Sequence, residues 1–150
     1  MEKACYLAQS GRPGPVVVDI PMNFQRAKIK INKLKKFTPP KKNIKKNLLR
    51  KNVKKIIFLL KKSTRPVILL GGGIKTSRSQ KYLKVFLKKV NVPIVSTWSG
   101  IDTIDHEHKN YIGCIGVYGS RAANFAVQNS DLLLNLGSRL DTRVTGGVPS

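Results

Sequence analysis

Acidic residues are scarce in this chain of 150 residues, in which seven Asp and Glu stand against 29 Lys and Arg. The formal net charge is therefore +22, and no acidic residue occurs between Asp19 and Asp102. Such an excess favours polyanionic partners in general, either nucleic acid or an anionic ligand. However, the few aromatic residues among the lysines do not form a stacking platform for bases. A compositional bias toward Lys, Ile and Asn explains the charge better, and we expect any nucleic-acid binding to be non-specific.

Cysteines and long apolar runs are also few. Cys5 and Cys114 are too few for a disulfide scaffold and have no metal-ligand spacing. No apolar run approaches the roughly 20 residues that a membrane span needs, and residues 1–5 lack the pattern of a signal peptide. We therefore expect a reducing cytoplasm and no membrane partner.

The N-terminal third of the chain has the features of an incomplete domain. Residues 2–9 have the apolar spacing of a helix, and the β-branched run at residues 16–20 predicts a buried strand. Residues 26–47 are highly charged, contain Pro39-Pro40 and show no period, which is typical of a linker. One helix and one strand do not make a domain, so we interpret residues 1–25 as the end of a preceding domain.

Residues 48–150 alternate between helical and strand patterns. Strands are predicted at 67–70, 93–95 and 131–136, with a loop over 101–119. Two helices have apolar residues at helical spacing and are expected to bury them: Leu49, Val53, Ile56, Ile57 and Leu60 on one, and Tyr82, Leu83, Phe86, Leu87 and Val90 on the other. This alternation predicts an α/β domain with an open parallel sheet and helices on both faces, truncated at its C-terminal side.

Three glycine-rich segments follow the predicted strands, at residues 71–73, 96–100 and 137–143. In an open parallel sheet, ligands bind beyond the carboxyl ends of the strands, and glycine lets a phosphate approach the backbone. Arg12, Arg139 and Arg143 lie in glycine-rich loops, where a guanidinium can bind phosphate or carboxylate. A tight turn at 71–73 and an ion pair between Arg139 and Asp141 are the structural alternatives.

No catalytic arrangement is visible. The serines lack a nucleophile-elbow motif, and no pair of carboxylates suggests acid–base chemistry. His106 and His108 flank Glu107, but a third ligand of matching spacing is missing, so a solvated loop is the better interpretation. We therefore predict ligand-binding loops and assign no catalytic or metal-binding residue.

Five segments, in order, resemble thiamine-diphosphate-dependent enzymes, and the last three are most similar to the acetolactate synthase large subunit. They are Gly11-Arg12-Pro13-Gly14-Pro15 with the apolar run after it, Arg65–Gly73, Gly116-Val117-Tyr118-Gly119, residues 123–132, and Gly137–Gly146. The family usually has Met-His-Gly at 117–119. The resemblance covers nearly the whole chain except the linker.

The resemblance implies a fragment of a three-domain enzyme. The complete enzyme would decarboxylate pyruvate on thiamine diphosphate with Mg²⁺ and transfer the two-carbon unit to a 2-oxo acid, in branched-chain amino acid biosynthesis. The family's catalytic glutamate and its metal motif would lie outside residues 1–150, so the chain alone is expected to be inactive. A homo-oligomer or complementing fragments are the implied partners. Another lyase or transferase of the same architecture, or a basic nucleic-acid-binding module, remains the alternative.

FAD is the further cofactor that the resemblance allows, as a structural ligand of the central domain. The family's FAD contacts carry over to the matching positions, which we take as candidate cofactor-binding residues: Arg12, Gly71, Gly72, Gly73, Ser96, Thr97, Gly100, Tyr118, Gly119, Gly137, Ser138, Arg139, Asp141 and Arg143.

Overall fold

The computed structural model describes residues 1–41 and 45–147. Within them the contacts divide the chain at Lys45/Lys46 into two compact units. The predicted linker at 26–47 and the predicted domain at 48–150 each extend over residues outside the described ranges, namely 42–44 and 148–150. The domain boundaries inferred from the sequence stay predictions.

The first unit is helical and extended. It contains helix α1 (Glu2–Gln9), the short helix α2 (Met22–Gln25) and a 3-10 turn at Ile31–Lys33. The strand predicted at residues 16–20 is wrong, because these residues have no strand partner among the described residues. β-branched residues favour an extended backbone, but a strand also needs a neighbour to accept and donate its backbone hydrogen bonds.

Part of the segment interpreted as a linker contacts α1. The Phe37 backbone N–H donates to Glu2 Oε2 over 3.0 Å, and the rings of Tyr6 and Phe37 lie 5.4 Å apart. Residues before Pro39-Pro40 therefore pack on α1 of the first unit.

The second unit is built on a parallel sheet. Its described residues form strands β1 (Pro66–Leu70), β2 (Ile94–Ser96), β3 (Tyr111–Cys114) and β4 (Leu132–Leu136), in the order β3-β2-β1-β4. All three neighbouring pairs are parallel, which confirms the predicted open parallel α/β sheet.

Strand β3 corrects the prediction of a continuous loop over 101–119. The strand has four residues, includes Gly113 at φ +138° and pairs with β2 through a register irregularity. A short strand containing glycine has little β-propensity, so its pairing with β2 determines its structure.

Helices cover both faces of the sheet. The second unit contains α3 (Lys46–Lys62), α4 (Gly73–Thr76), α5 (Gln80–Leu87), a 3-10 helix (Trp98–Thr103), α6 (Arg121–Gln128) and α7 (Thr142–Thr145). Alternate residues of β1 enter opposite clusters, as expected for a pleated strand buried on both sides. One cluster contains Ile68 and Leu70 with Leu83 and Leu87 of α5, and the other contains Val67 and Leu69 with Ala123 of α6.

The predicted burial of two apolar helix faces, on α3 and α5, differs from the burial in the structure. No residue of α3 is buried, and Leu49, Val53 and Ile57 are between 44% and 56% exposed. On α5, Leu83 and Leu87 are buried as predicted, but Tyr82 is exposed. Helical spacing identifies residues that share a face, whereas burial requires another element to cover that face. None of the described helices is long and apolar enough to cross a membrane.

Candidate functional site

The loops that follow β1, β2 and β4 lie against one another at the carboxyl edge of the sheet. Leu70 is in register with Leu136 on one side and Ser96 on the other, so the three chains leave the sheet together. Gly71 N–H donates to Leu136 O, and Gly73 N–H donates to Gly137 O, both over 2.9 Å. Thr97 N–H donates to Leu70 O over 2.8 Å. The structure therefore brings together the three segments that the sequence singled out.

Glycine is required where these loops touch. A Cβ on Gly71 would overlap the backbone of Gly137, and a Cβ on Gly73 would lie 2.7 Å from Gly137 O. Gly137 itself has φ +78°, and its Cβ would meet Ile74 N at 2.8 Å. These contacts are between protein atoms, so loop packing alone accounts for these three glycines.

A fourth segment, Gly116–Gly119, joins this edge from β3. Val117 N–H donates to Arg143 O over 3.0 Å. The Asn124 side chain brackets Gly116 by accepting from its N–H over 2.9 Å and donating to its carbonyl over 3.0 Å. A Cβ on Gly119 would overlap Cys114 O. Asn124 was not predicted from the sequence, although a polar residue between the apolar positions of α6 is a visible signal.

A cavity of about 400 Å³ opens beside this segment. It is lined by Trp98, Val117, Tyr118, Thr142 and Arg143. Tyr118 and Arg143 were candidates from the sequence, whereas the other three were not. Trp98 lies in the 96–100 segment, and an aromatic residue shortly after a predicted strand was the available signal.

The 137–143 segment holds the charged candidates. Arg139 Nη2 lies 3.7 Å from Asp141 Oδ2, and the Arg139 side chain is largely exposed whereas that of Asp141 is partly buried. At this distance and exposure the ion pair contributes little to stability. The other carboxylate oxygen, Asp141 Oδ1, is buried without a hydrogen-bond partner in the described part of the chain. Because an unpaired buried acceptor is costly, Asp141 is suited to a hydroxyl or N–H donor from a ligand.

Asn135 and Ser138 hold this loop in place. Asn135 accepts from the Ser138 N–H over 3.0 Å and donates to the Ser138 carbonyl over 2.9 Å. Ser138 Oγ in turn accepts from the Leu140 N–H over 3.1 Å. Leu140 has φ +53°, which is unfavourable for a residue with a branched side chain. The loop that presents Arg139 and Asp141 is therefore braced by Asn135, the polar residue within the otherwise apolar strand β4.

Other candidates from the sequence are turned toward the protein. Ser96 is fully buried, and its hydroxyl lies 2.8 Å from the Tyr111 hydroxyl. Thr97 is buried, with Oγ1 at 3.2 Å from Ser99 Oγ. A Cβ on Gly100 would overlap Leu70 O. A Cβ on Gly72 would meet the backbone and side chain of Ser99 at about 3.0 Å. Arg12 lies in the first unit.

The histidines and Cys114 have structural contacts. The His106 ring packs edge-on against Tyr111, with ring centroids 5.4 Å apart, and His108 Nδ1 accepts from the Asn110 N–H over 3.3 Å. Burial raises the pKa of the Cys114 thiol. Over residues 1–41 and 45–147, no three His, Cys, Asp or Glu side chains gather as a metal site would require.

Away from this edge, Asp131 ties β4 to the start of β1. Its carboxylate accepts hydrogen bonds from the Ser63 hydroxyl, from the Thr64 N–H and hydroxyl at 2.8 and 2.9 Å, and from the Arg65 N–H at 2.9 Å. These bonds, first among them the one from Ser63, hold the pKa of Asp131 well below its usual range. Asp131 has an architectural role at the end of the sheet opposite the candidate site.

Comparison with known proteins identifies the family. Residues 53–150 match the family model described as "Thiamine pyrophosphate enzyme, central domain". The chain is 35% identical over 142 residues to the acetolactate synthase large subunit of Lactococcus lactis, covering 95% of this chain and 25% of that protein. It is 36% identical over 146 residues to the acetolactate synthase isozyme 2 large subunit of Escherichia coli. That match covers 97% of this chain and 26% of the Escherichia coli protein.

These relatives confirm the resemblance found in the sequence. The large subunit of Buchnera aphidicola from Acyrthosiphon pisum is similar at the same level, with 35% identity over 98% of this chain and 26% of its own length. The chain thus spans about a quarter of the relatives that it matches. On the family match and the parallel sheet together, the chain belongs to the thiamine pyrophosphate enzyme family through its central domain.

Proposed function

We propose that this chain is the central part of an acetolactate synthase-like enzyme. The observation that carries the proposal is the similarity to acetolactate synthase large subunits, which extends over at least 95% of the chain and so through both units. The complete enzyme would decarboxylate pyruvate and transfer the two-carbon unit to a second 2-oxo acid. A different transferase or lyase of the same architecture is the second candidate, and the match does not favour a nucleic-acid-binding module.

In this proposal the chain supplies a nucleotide-binding edge and no catalytic side chain. FAD is the group that fits it, because the edge combines a 400 Å³ cavity, arginines and the unpartnered acceptor Asp141 Oδ1. Arg139 and Arg143 would bind its diphosphate, and Asp141 would accept from a hydroxyl. FAD would serve as a structural ligand that orders the loops.

Thiamine diphosphate and Mg²⁺ belong to the proposed complete enzyme. We assign neither of them to a residue of this chain, and no residue here is assigned a proton-transfer role. The proposed assembly is a homo-oligomer or a set of complementing polypeptides in the cytoplasm.

An acetoin assay tests this proposal. The purified chain, given pyruvate, thiamine diphosphate, Mg²⁺ and FAD, is expected to yield no acetoin after acid treatment. Joined to the parts of the Lactococcus lactis relative that lie before and after the region matched by this chain, it is expected to form acetoin. The same polypeptides without residues 46–150 are the control. Turnover by the chain alone, retained after repeated purification, would contradict the proposal, as would a joined, folded and FAD-loaded enzyme without activity.

A further inference from the structure

Two exposed aromatic side chains meet edge to face in the cavity. Trp98, which begins the 3-10 helix after β2, and Tyr118, which follows β3, have ring centroids 5.8 Å apart and ring planes at 86°. Their exposed fractions are 68% and 77%, and the neighbouring Val117 is 66% exposed. Each ring therefore keeps most of its apolar surface open although it contacts the other.

Hydrogen bonds hold the backbone segments that carry both rings. Val117 N–H is bound to Arg143 O, Gly119 N–H is bound to Gly116 O, and Gly100 N–H is bound to Thr97 O, all within 3.0 Å. The rings thus extend from short, hydrogen-bonded turns. Such a pre-organised backbone loses little conformational entropy when a ligand binds.

Two perpendicular rings form a corner with a specific shape. A planar ligand ring can lie parallel to one aromatic face while its edge meets the other, and both arrangements are favourable for aromatic groups. The cavity of about 400 Å³ lies within the usual range for small-ligand sites, roughly 300–1,000 Å³. Arg143 lines the same cavity and supplies the positive charge that a nucleotide phosphate needs.

We propose that Trp98 and Tyr118 form a stacking corner for a planar heteroaromatic ring of the dinucleotide held at this edge. This inference rests on the proposed FAD site and adds the residues that recognise a ring. The isoalloxazine and adenine rings of FAD share the required chemistry, and the experiment below distinguishes them. Asp141 and Arg143 position the ligand, whereas the aromatic corner determines that it must carry a flat ring.

Trp98 is the single tryptophan of the chain, so its emission reports directly on the corner. The 150-residue chain is titrated with FAD, riboflavin and ADP, and the data are corrected for flavin absorbance. FAD is expected to quench Trp98 with the same midpoint as its binding in equilibrium dialysis. Quenching by riboflavin but not ADP assigns the isoalloxazine ring to the corner, and a change in emission with ADP alone assigns adenine. Either result, together with weaker FAD binding by the alanine variants, supports the stacking corner.

Variants measure the contribution of each ring. Stacking on an aromatic side chain is worth roughly 1–3 kcal/mol, so Trp98→Ala and Tyr118→Ala should each weaken FAD binding about 5- to 150-fold in dialysis. Trp98→Phe and Tyr118→Phe should recover most of the affinity, because they keep a flat face. Tyr82→Ala is the matched control, since Tyr82 is an equally exposed aromatic residue on α5 and should leave the affinity unchanged.

The outcomes separate this inference from the proposed function. If FAD binds in dialysis while Trp98 emission stays constant and Trp98→Ala binds equally well, the stacking corner is wrong and the FAD site stands. If neither dialysis nor fluorescence detects FAD at millimolar concentration, the FAD site and the corner are both wrong. If the alanine variants do not fold, Trp98→Leu and Tyr118→Leu, which keep apolar bulk without a flat face, decide the question in dialysis. Weaker FAD binding than in the wild type supports the corner, and wild-type affinity contradicts it.

Discussion

Two apolar runs of the chain both favour a β-strand by composition, but only one of them forms a strand in the structure. Val16-Val17-Val18-Asp19-Ile20 is rich in β-branched residues, yet in the first unit it has no ladder partner in the described chain, and Val17 is 92% exposed. Pro66-Val67-Ile68-Leu69-Leu70 forms β1, with β2 on one side and β4 on the other. The comparison shows that a strand is determined by its neighbours as much as by its own residues.

The largest difference between the two runs should appear in the unfolding free energy when one side chain of each is replaced by alanine. Leu69→Ala removes a fully buried side chain from the cluster that also contains Val67 and Val95. Its cost should be about 2–5 kcal/mol of unfolding free energy, because a cavity remains in the core. Val17→Ala, the matched change in the other run, should lie within about 0.5 kcal/mol of wild type.

Urea denaturation followed by far-UV circular dichroism measures both variants. Similar losses for Leu69→Ala and Val17→Ala would show that the 16–20 run is buried in solution, and the contrast between the runs would disappear.

A smaller difference is expected between two glycines, one from each unit. Gly137 has φ +78° and no room for a Cβ next to Ile74 N. Gly137→Ala should therefore cost about 1–3 kcal/mol. Gly14 has nothing within 4 Å of the added atom and no positive φ, so Gly14→Ala should be neutral or stabilising by about 0.4–1 kcal/mol.

Thermal unfolding of Gly137→Ala and Gly14→Ala, measured alongside the wild type, tests these two expected changes in stability. Gly137→Ala should also weaken FAD binding in dialysis, because Gly137 positions the loop that carries Arg139. A Gly137→Ala variant as stable as Gly14→Ala would mean that the contact between the 71–73 and 137–143 segments is looser than in this structure.

The sheet was predictable from the sequence because three of its strands are mainly apolar and have Gly or Pro at one or both ends. β3 was not predictable, since Tyr111-Ile112-Gly113-Cys114 has no such pattern and depends on pairing with β2. The exposed face of α3 was missed for the opposite reason. Its spacing is that of an amphipathic helix, but spacing carries no information about which element covers the face.

The candidate site was predictable only at the level of segments. The rule that ligands bind beyond parallel strands selected the 71–73, 96–100 and 137–143 loops, and hydrogen bonds join them in the structure. Which side chains point outward was not predictable, because local backbone geometry determines it. Ser96 is buried against Tyr111, whereas Trp98, two residues later, is exposed in the cavity.

The smallest effect on stability should come from the ionisation of Asp131. Asp131 joins the starts of β1 and β4, whereas the 16–20 run has no such anchor in the described chain. Hydrogen bonds from Ser63, Thr64 and Arg65 lower its pKa in the folded chain below the ordinary value of 3.8. Folding therefore favours the carboxylate, and this contribution is fully present above the ordinary value. As the pH falls below about 4, the unfolded chain binds a proton that the folded chain does not, and stability decreases.

Asp131→Asn should remove this acid-dependent loss. Unfolding midpoints in urea, measured from pH 6 to pH 3, should fall for the wild type and be flatter for Asp131→Asn. Asn cannot accept all four hydrogen bonds as a carboxylate does, so the variant should also be less stable at pH 6. Glu107→Gln is the control for the loss of one negative charge and should keep the wild-type slope. A slope unchanged in Asp131→Asn would show that the junction between β1 and β4 does not depend on the charge of Asp131.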